Sequence, residues 1–257
     1  MPEGDTVWQT AHRLHEALAS KTLTRFELRV PQAATVDLSG QVVHEVVPRG
    51  KHLLLRAGDH TLHSHLKMEG RWDLYPPGGR WRRPAHTARA VLAVDDAEAV
   101  GYDLAEVHVV PTAEESTLVG HLGPDPLQPN WDPAEAARRL AADLRPVHVA
   151  LLDQRNIAGL GNEYANEVLF VRGILPTTPA GEVDTPALVD TAARMLRANR
   201  DRPIRTFTGD TRHGRNRWVY GRERQPCRRC GTLIRRTDLG ADPTRERVVF
   251  WCPNCQR

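Results

Sequence analysis

The sequence predicts an α+β protein: a β-sandwich with a leading helix, then a helical half that ends in a cysteine-rich β-hairpin. Three patterns support this expectation. Between residues 22 and 104, short segments alternate apolar and polar residues and are broken by Gly and Pro, as in sandwiches and barrels. From residue 132 to about 202 the apolar residues recur at helical spacing. All four Cys follow residue 226, in two Cys-x-x-Cys pairs.

The composition is that of a globular protein with one large domain or two modest ones. The chain has 257 residues, of which 40% are apolar and 26% are charged. No apolar run approaches the roughly 18 residues that a membrane span needs, and no signal peptide is visible at the start. We therefore expect a cytoplasmic protein that makes no membrane contact and acts as a monomer.

The first half should contain one helix and several strands. Asp5 can cap a helix whose apolar face consists of Val7, Ala11, Leu14 and Leu18. Strand-like alternation then predicts β-structure within residues 26–30, 41–47, 51–55, 61–75, 88–95 and 99–104.

A linker at residues 124–130 separates this region from the helical half. Asp132 and Pro133 form a helix start, and Thr185 with Pro186 repeats that pattern. Between them we expect a helix at residues 147–154, a glycine-containing turn at 155–161, and a second helix capped by Asn162. A glycine-rich turn that leads into a helix N-terminus suits a phosphate, although a plain helical hairpin has the same geometry.

The cysteine pattern is the strongest chemical signal in the sequence. Two Cys-x-x-Cys pairs with 21 residues between them indicate a four-thiolate structural zinc site. The predicted ligands are Cys227, Cys230, Cys252 and Cys255. Residues 232–236 and 247–251 can form the two strands of the hairpin that the metal would clasp.

Charge is distributed unevenly along the chain. From Arg197 to Arg257 there are 16 Arg and Lys against 6 Asp and Glu, a net charge of +10, whereas the preceding part carries −7. A basic C-terminal part suits nucleic acid, although a solvated surface has the same composition.

Only three basic residues are Lys, namely Lys21, Lys51 and Lys67. Lys can transfer a proton, which Arg cannot usefully do.

The N-terminal residues offer a second chemical signal. Pro2 is small, so Met1 can be removed, and the resulting terminal amine would titrate near ~8 and retain a neutral, nucleophilic fraction. Glu3 lies beside it as a possible acid or base. An ordinary terminus is the alternative interpretation. His63 and His65 lie on one strand face and could form a metal pair, but no third ligand accompanies them.

Three motifs resemble those of one enzyme family. They are the opening Pro-Glu-Gly-Asp-Thr from Pro2, the segment Gly-Leu-Gly-Asn-Glu-Tyr-Ala-Asn-Glu from Gly159, and the closing segment from Arg247 through the last cysteine pair. In this order they resemble the formamidopyrimidine-DNA glycosylase/endonuclease VIII (Fpg/Nei) family, and the opening is similar to its endonuclease VIII branch. The middle motif resembles the family's helix–two-turn–helix.

This resemblance implies a bifunctional DNA glycosylase and abasic-site lyase of base-excision repair. The resemblance further implies that such an enzyme would act on double-stranded DNA with damaged bases or abasic sites and would carry one structural zinc. The implied domains are 1–123 (catalytic sandwich), 124–222 (helix–two-turn–helix) and 223–257 (zinc finger). The implied catalytic residues are Pro2 as nucleophile, Glu3 as acid, Lys51 on a strand, and Arg247 at the hairpin tip.

The resemblance also implies a set of DNA contacts. His65 would meet a phosphate, Lys67 and Met68 would follow it in the loop that fills the gap left by a flipped base, and Asn162 and Arg247 would bind phosphates near the lesion. The Pro2 amine would attack C1′ and form a Schiff base, and β- and δ-elimination would then cut the strand.

Several positions depart from the family pattern. The family's usual Glu is replaced by Thr6, its Arg-Phe wedge is absent from residues 103–106, and the loop at 238–246 is longer. Residues 208–218 form a short Arg-rich segment where purine-type members carry a long capping loop, which favours oxidised pyrimidines as substrates. The alternatives are an 8-oxoguanine-type glycosylase and a non-catalytic zinc-containing protein that binds damaged DNA.

Overall fold

A computed structural model describes residues 2–240 and 246–257. The chain divides into two compact units, Met1–His121 and Leu122–Arg257. Each unit has its own secondary structure and its own buried core, and the candidate residues are distributed over both.

The first unit is a β-sandwich with a leading helix, as predicted. The helix α1 spans Gly4–Leu18, and a short helix α2 spans Ser116–Val119. The strands are β1 (Arg25–Leu28), β2 (Val43–Arg49), β3 (His52–Ala57), β4 (His60–His65), β5 (Arg71–Tyr75), β6 (Ala88–Val94), β7 (Ala97–Tyr102) and β8 (Glu106–Pro111). They form two four-stranded antiparallel sheets, in the orders β1-β6-β7-β5 and β2-β3-β4-β8.

Helix α1 contributes its apolar face to the sandwich core. Val7, Ala11, Leu14 and Leu18 are all at most 1% exposed and join the cluster that contains core residues of both sheets. The predicted face is thus confirmed. The predicted cap is wrong: Glu3 occupies the N-cap position, and the Asp5 carboxylate accepts the Thr6 N–H instead. The helix starts earlier because the chain enters the core at Gly4 and Asp5, which are both buried.

Two features of the strands in the first unit were not predicted. Residues 61–75 were expected to be strand with glycine breaks, and they form β4 and β5 on either side of Gly70, but the assignment of these strands to different sheets was not foreseen. A tight turn separates them, in which the Gly70 N–H donates to Leu66 O at 2.9 Å. A Cβ at Gly70 would lie 2.5 Å from that oxygen, so this position requires glycine. The alternation pattern also missed the edge strand β8.

The second unit is helical and ends in a hairpin. Its helices are α3 (Pro133–Ala141), α4 (Val147–Leu152), α5 (Asn162–Arg172) and α6 (Thr185–Arg200). The hairpin strands β9 (Arg235–Leu239) and β10 (Arg247–Trp251) are antiparallel. The second strand has the predicted bounds, whereas the first begins three residues later than expected.

The helix caps of this unit were predicted in part. Asp132 caps α3 by accepting the Glu135 N–H at 3.0 Å, as expected. In α6 the cap is Asp184, which accepts the Ala187 N–H at 3.1 Å, and Thr185 is already helical. In α5 the N-cap position belongs to Gly161, because the Asn162 side chain is engaged elsewhere.

No helix within residues 2–240 and 246–257 is long and apolar enough to cross a membrane.

Candidate active site and metal centre

The N-terminal segment places a carboxylic acid inside the first unit. Glu3 is completely buried, and its carbonyl accepts the Val7 N–H at 3.0 Å at the start of α1. Pro2 precedes it and is partly exposed. A buried carboxyl group beside an accessible terminus is an arrangement in which an acid can serve a nucleophilic amine.

The packing direction of α1 fixes which part of the sandwich lies near these residues. Ser20 N–H donates to Val43 O at 2.7 Å, and Val46 N–H donates to His15 Nδ1 at 3.1 Å. Moving toward the start of α1 therefore means moving toward the end of β2. From His15 to Glu3 the helix extends about 18 Å, and from Val46 to the end of the β2–β3 turn is about 16 Å. Glu3 and that turn consequently lie at the same end of the unit.

Lys51 lies in this turn. It was expected on a strand, but β2 ends at Arg49 and β3 begins at His52. Gly50 has a φ of +59°, a left-handed conformation that glycine adopts without strain, and it makes the two-residue turn possible. Lys51 is partly buried, and in this turn it lies at the same end of the unit as Glu3.

His65 lies next to the turn that contains Lys51, because it pairs across the β3–β4 ladder with His52, the residue after Lys51. Its Nδ1 accepts the Lys67 N–H at 2.9 Å, so in the neutral ring the proton is on Nε2, which is available as a donor. Burial is the largest cause that lowers the pKa of His65; with the positive charges of Lys51 and Lys67, and against the opposing effect of Glu106, it brings that pKa to about 4. His65 is therefore a neutral hydrogen-bond donor near pH 7.

The loop after β4 carries the remaining candidates of this unit. Lys67 Nζ forms an ion pair with Glu106 Oε1 at 2.6 Å, and its backbone has a left-handed φ of +47°. Burial opposes ionisation of Glu106, but the hydrogen bond and charge of Lys67 hold the pKa of that carboxyl below its usual value. Met68 is 60% exposed, an unusual position for a large apolar side chain.

A histidine cluster occupies the same sheet, and sequence analysis found only part of it. His52 Nδ1 and His63 Nε2 are 2.7 Å apart, and the rings of His65, His108 and His121 lie nearby. Alternation predicted His63 and His65 on one face, but the approach of His52 depends on strand pairing. Among the described residues, only the four cysteines form a group of three or more ligands close enough to hold a metal.

In the second unit, Asn162 is part of a buried network. His148 Nε2 donates to Asn162 Oδ1 at 2.9 Å, and Asn162 Nδ2 donates to Val248 O at 2.8 Å. Asn166 Oδ1 accepts the Phe250 N–H at 2.6 Å. The helix–two-turn–helix is thereby attached to strand β10. Asn162 is only 5% exposed, so its amide is held in one orientation.

Sequence analysis missed a buried acid in the second unit, Glu167 of α5. The Glu167 carboxylate accepts three successive backbone N–H groups, from Trp218, Val219 and Tyr220, at 2.8 to 3.0 Å. Burial raises the pKa of Glu167 to about 7 although these donors oppose the shift. The sequence signal that could have identified Glu167 is an acidic residue in a helix without a clear polar face, since such a helix is typically buried on all sides.

The four cysteines converge as predicted. All four Sγ atoms lie within 4.8 Å of one another, with Cys227 to Cys255 at 3.9 Å and Cys230 to Cys252 at 3.4 Å. These separations are too long for disulfide bonds of ~2.05 Å. Four thiolates around one ion at ~2.3 Å would be separated by roughly 3.8 Å, so the cluster can hold a tetrahedral metal ion.

Arg247 opens β10 and is exposed. Its Nη1 donates to Glu246 O at 2.9 Å. The loop at 238–246, which was expected to be longer than in the family, falls mostly on residues 241–245, outside the described residues.

Comparisons with known proteins agree with this architecture. The profile of the formamidopyrimidine-DNA glycosylase N-terminal domain matches residues 1–108, and that of the formamidopyrimidine-DNA glycosylase H2TH domain matches residues 122–199. The solved structure described as MutM in complex with carbocyclic 8-oxo-G containing DNA superposes with a TM-score of 0.82 at 24% identity, covering 100% of both chains. Lactococcus lactis Fpg with abasic-site DNA gives 0.82 at 24% identity, covering 99% of both chains.

The fold is therefore that of the MutM and Fpg proteins, the class that joins a β-sandwich to a helical half with a four-cysteine hairpin. Proteins with similar sequences indicate the family more specifically than the fold does. A Streptomyces coelicolor protein named "Probable endonuclease 8 2" is 53% identical, over 100% of this chain and 94% of its own. A Mycolicibacterium smegmatis protein named "DNA-(apurinic or apyrimidinic site) lyase Nei2" is 54% identical, over 100% and 99%. The chain belongs to the formamidopyrimidine-DNA glycosylase/endonuclease VIII family.

Proposed function

We propose that this protein is a bifunctional DNA glycosylase and abasic-site lyase, which excises oxidised bases and cuts the strand at the resulting site. The observation that carries the proposal is the completely buried Glu3 at the start of α1, directly after Pro2. A protein that only bound DNA would have no use for a buried carboxyl group beside its N-terminal amine.

The proposed nucleophile is the Pro2 nitrogen, once Met1 has been removed. Its lone pair attacks C1′ of the damaged nucleotide, the glycosidic C–N bond breaks, and the base leaves with the electron pair of that bond and a proton. Opening of the sugar ring leaves an iminium ion between Pro2 and C1′. Loss of a C2′ proton expels the 3′ phosphate, a second elimination expels the 5′ phosphate, and water releases Pro2.

Glu3 and Lys51 have distinct proposed roles in this sequence. Glu3 donates a proton at the sugar as the ring opens, because it is the acid next to the nucleophilic amine. Lys51 contacts the phosphate beside the lesion and can exchange a proton during elimination, which explains the use of Lys in a chain whose cations are almost all Arg.

The remaining candidates are proposed to bind double-stranded DNA. Neutral His65 would donate its Nε2–H to a phosphate, and exposed Met68 would enter the base stack. Lys67 would have to exchange its ion pair with Glu106 for a DNA contact. One amide N–H of Asn162 donates to Val248 O, so Asn162 would use its other N–H for a phosphate. Arg247 would bind a neighbouring phosphate and thereby take part in catalysis, as the family resemblance implies.

The cysteine cluster is proposed to hold one structural zinc ion. Cys227, Cys230, Cys252 and Cys255 would bind it as thiolates, and zinc in such a site supplies folding free energy rather than reaction chemistry. The chain would then comprise a catalytic sandwich at 1–123, a helix–two-turn–helix domain at 124–222 and a zinc finger at 223–257. The division of the fold after His121 supports the first boundary.

Oxidised pyrimidines, such as thymine glycol and dihydrouracil, are the proposed substrates. In place of a long capping loop the chain has the short segment 208–218, in which the Thr208 hydroxyl donates to Arg215 O at 2.7 Å. The exposed side chains of this segment include Arg212 and Arg215, which suit phosphates better than they would close over a large purine base.

A lesion panel in duplex DNA tests the proposal. Thymine glycol, dihydrouracil, 8-oxoguanine and an abasic site would be offered opposite their normal partners, and excision and strand cleavage would be measured separately. We expect cleavage at the abasic site and excision of both pyrimidines ahead of 8-oxoguanine. Preference for 8-oxoguanine would assign the chain to purine lesions, and binding without any cleavage would make it a non-catalytic binder.

A further inference from the structure

Glu163 is a buried acid to which the proposed chemistry gives no role. Its carboxylate accepts a hydrogen bond from Arg205 Nη1 at 2.9 Å and another from Arg217 Nε at 2.7 Å, and its side chain is only 2% exposed. Both arginines belong to the irregular segment that follows α6. One helix carboxylate thus holds two points of this segment that are twelve positions apart in the sequence.

The two buried acids of α5 together fix this segment, residues 205–220, to the helix. Glu167, one helical turn after Glu163, accepts the three successive N–H groups at its C-terminal end. At the other end, the guanidinium of Arg205 also stacks on the Tyr164 ring, 5.2 Å from its centroid. The segment is therefore attached at both ends to a helix that is buried on all sides.

Internal hydrogen bonds complete the shape of segment 205–220. Phe207 N–H donates to Asn216 O at 2.8 Å, and Trp218 Nε1–H donates to Phe207 O at 2.9 Å. From the cysteine-bearing turn, Arg228 donates to Gly214 O and Arg217 O. The segment closes on itself like an Ω-loop, through hydrogen bonds made within the protein.

The segment is also part of the most basic stretch of the chain. Residues 202–229 contain nine Arg and no Lys, against two acids, Asp210 and Glu223. Arg212 and Arg215 lie at the exposed turn of the segment, where Arg212 also pairs with Asp210, whereas the guanidinium groups of Arg205 and Arg217 both bind Glu163. Burial of a charged carboxylate, even one paired with Arg205 and the half-exposed Arg217, contributes little net stability, so the arrangement is better explained by the geometry that it enforces.

We propose that Glu163 is a positioning residue for DNA binding. It holds segment 205–220 in one shape, so that the exposed Arg212 and Arg215 meet backbone phosphates without a prior ordering step. The proposal rests on the proposed DNA-repair function. Since the segment is ordered before DNA arrives, the loss of conformational entropy on binding is small, and Glu163 acts on affinity rather than on the chemical step.

The salt dependence of binding measures this role. Each phosphate contact contributes about −0.9 to the slope of log affinity against log salt concentration. Loss of two positioned contacts would therefore reduce the slope by about 2. A residue that only stabilised the fold would leave this slope unchanged in protein that is still folded.

The test compares Glu163→Gln with Glu135→Gln in zinc-loaded full-length protein. Glu135 is a matched control, because it also bridges two arginines, Arg138 and Arg139, but on the exposed surface of α3. With an abasic-site duplex, we expect Glu163→Gln to raise KM about tenfold and to change kcat less than about twofold. The slope of log affinity against log salt concentration should become shallower by about 1 to 2, which corresponds to the loss of one or two phosphate contacts. Glu135→Gln should match the parent protein.

Amide hydrogen exchange of the unsubstituted protein provides an independent test if Glu163→Gln does not fold. The amides of Phe207 and Trp218 should be protected in free protein as strongly as in the DNA complex. Protection that appears only with DNA would overturn the proposal, as would an unchanged salt slope and KM in folded Glu163→Gln. Failure of the proposed function itself would be distinct, because the parent protein would then not cleave the abasic-site duplex at all.

Discussion

At the scale of single residues, Glu3 carries most of the proposed chemistry, because it is buried next to the terminus that would attack the sugar. Glu3→Gln removes the acid but keeps the size of the side chain. We expect lesion DNA to bind normally and base excision to fall by a factor of about 10² to 10⁴. Single-turnover excision and a binding titration measure the two effects. Glu16→Gln, on the exposed side of the same helix, should change neither.

Lys51 permits a test of proton transfer separately from charge. Lys51→Arg keeps the positive charge in the β2–β3 turn but removes a group that can give up a proton. We expect nearly unchanged affinity for abasic-site DNA and strand cleavage slower by about 10². The same substitution at Lys21, which forms an ion pair with Asp96, is the control and should have no effect. Full cleavage by Lys51→Arg would limit Lys51 to a phosphate contact.

The histidine cluster should make stability depend on pH. Burial, with repulsion from neighbouring histidines, lowers the pKa of His52 to about 3 and that of His63 to about 4. In unfolded chains these groups titrate near ~6.5, so below that pH the unfolded state binds more protons. Stability should be fully present above pH ~6.5 and should fall as the pH decreases toward 4.

Denaturant unfolding at pH 7.5 and pH 5 measures this dependence. His63→Phe, which removes a buried titrating ring, should reduce the difference between the two pH values. His86→Gln, at an exposed histidine outside the cluster, should leave it unchanged. An identical difference in His63→Phe and the parent protein would show that other groups are responsible.

At the scale of secondary-structure elements, the sequence pattern predicted those features that depend only on neighbouring residues. The face of α1, the start of α3 at Asp132 and the bounds of β10 follow from local sequence. Edge strand β8 and the assignment of β4 and β5 to different sheets were missed, because sheet membership depends on distant partners. The caps at Gly161 and Asp184 were misjudged by one residue, since tertiary contacts determine where a helix begins.

The hairpin should depend on its metal. Cys252→Ser removes one thiolate, and Cys252 is completely buried against the hairpin core. We expect loss of the bound zinc, unfolding of β9 and β10, and loss of DNA binding, because Asn162 and Asn166 are bonded to the β10 backbone.

Elemental analysis, amide exchange and a DNA titration would measure these changes in Cys252→Ser. Amides of the sandwich core, such as Leu92, should remain protected, because the first unit has a core of its own. Ser39→Ala, at an exposed loop position of that unit, is a neutral control. Active, zinc-free protein would contradict a structural metal.

At the scale of the whole molecule, the order of the motifs predicted more than any single one. The opening at Pro2, the turn before Asn162 and the cysteine pairs each have an ordinary structural explanation, but their order along the chain is specific to one family. The end of the sheet where Lys51, His65 and Glu106 lie together could not be predicted, because strand pairing creates it. Nor did the sequence indicate that Glu163 and Glu167 would hold one segment.

The central claim is that the N-terminal amine is the nucleophile. Borohydride reduction during reaction with an abasic-site duplex should convert the Schiff base into a stable protein–DNA adduct, and peptide mapping should place that adduct on Pro2. N-terminal sequencing of the same preparation should begin at Pro2. A stable adduct on Lys51, or full activity in protein whose N-terminus is blocked, would contradict the claim.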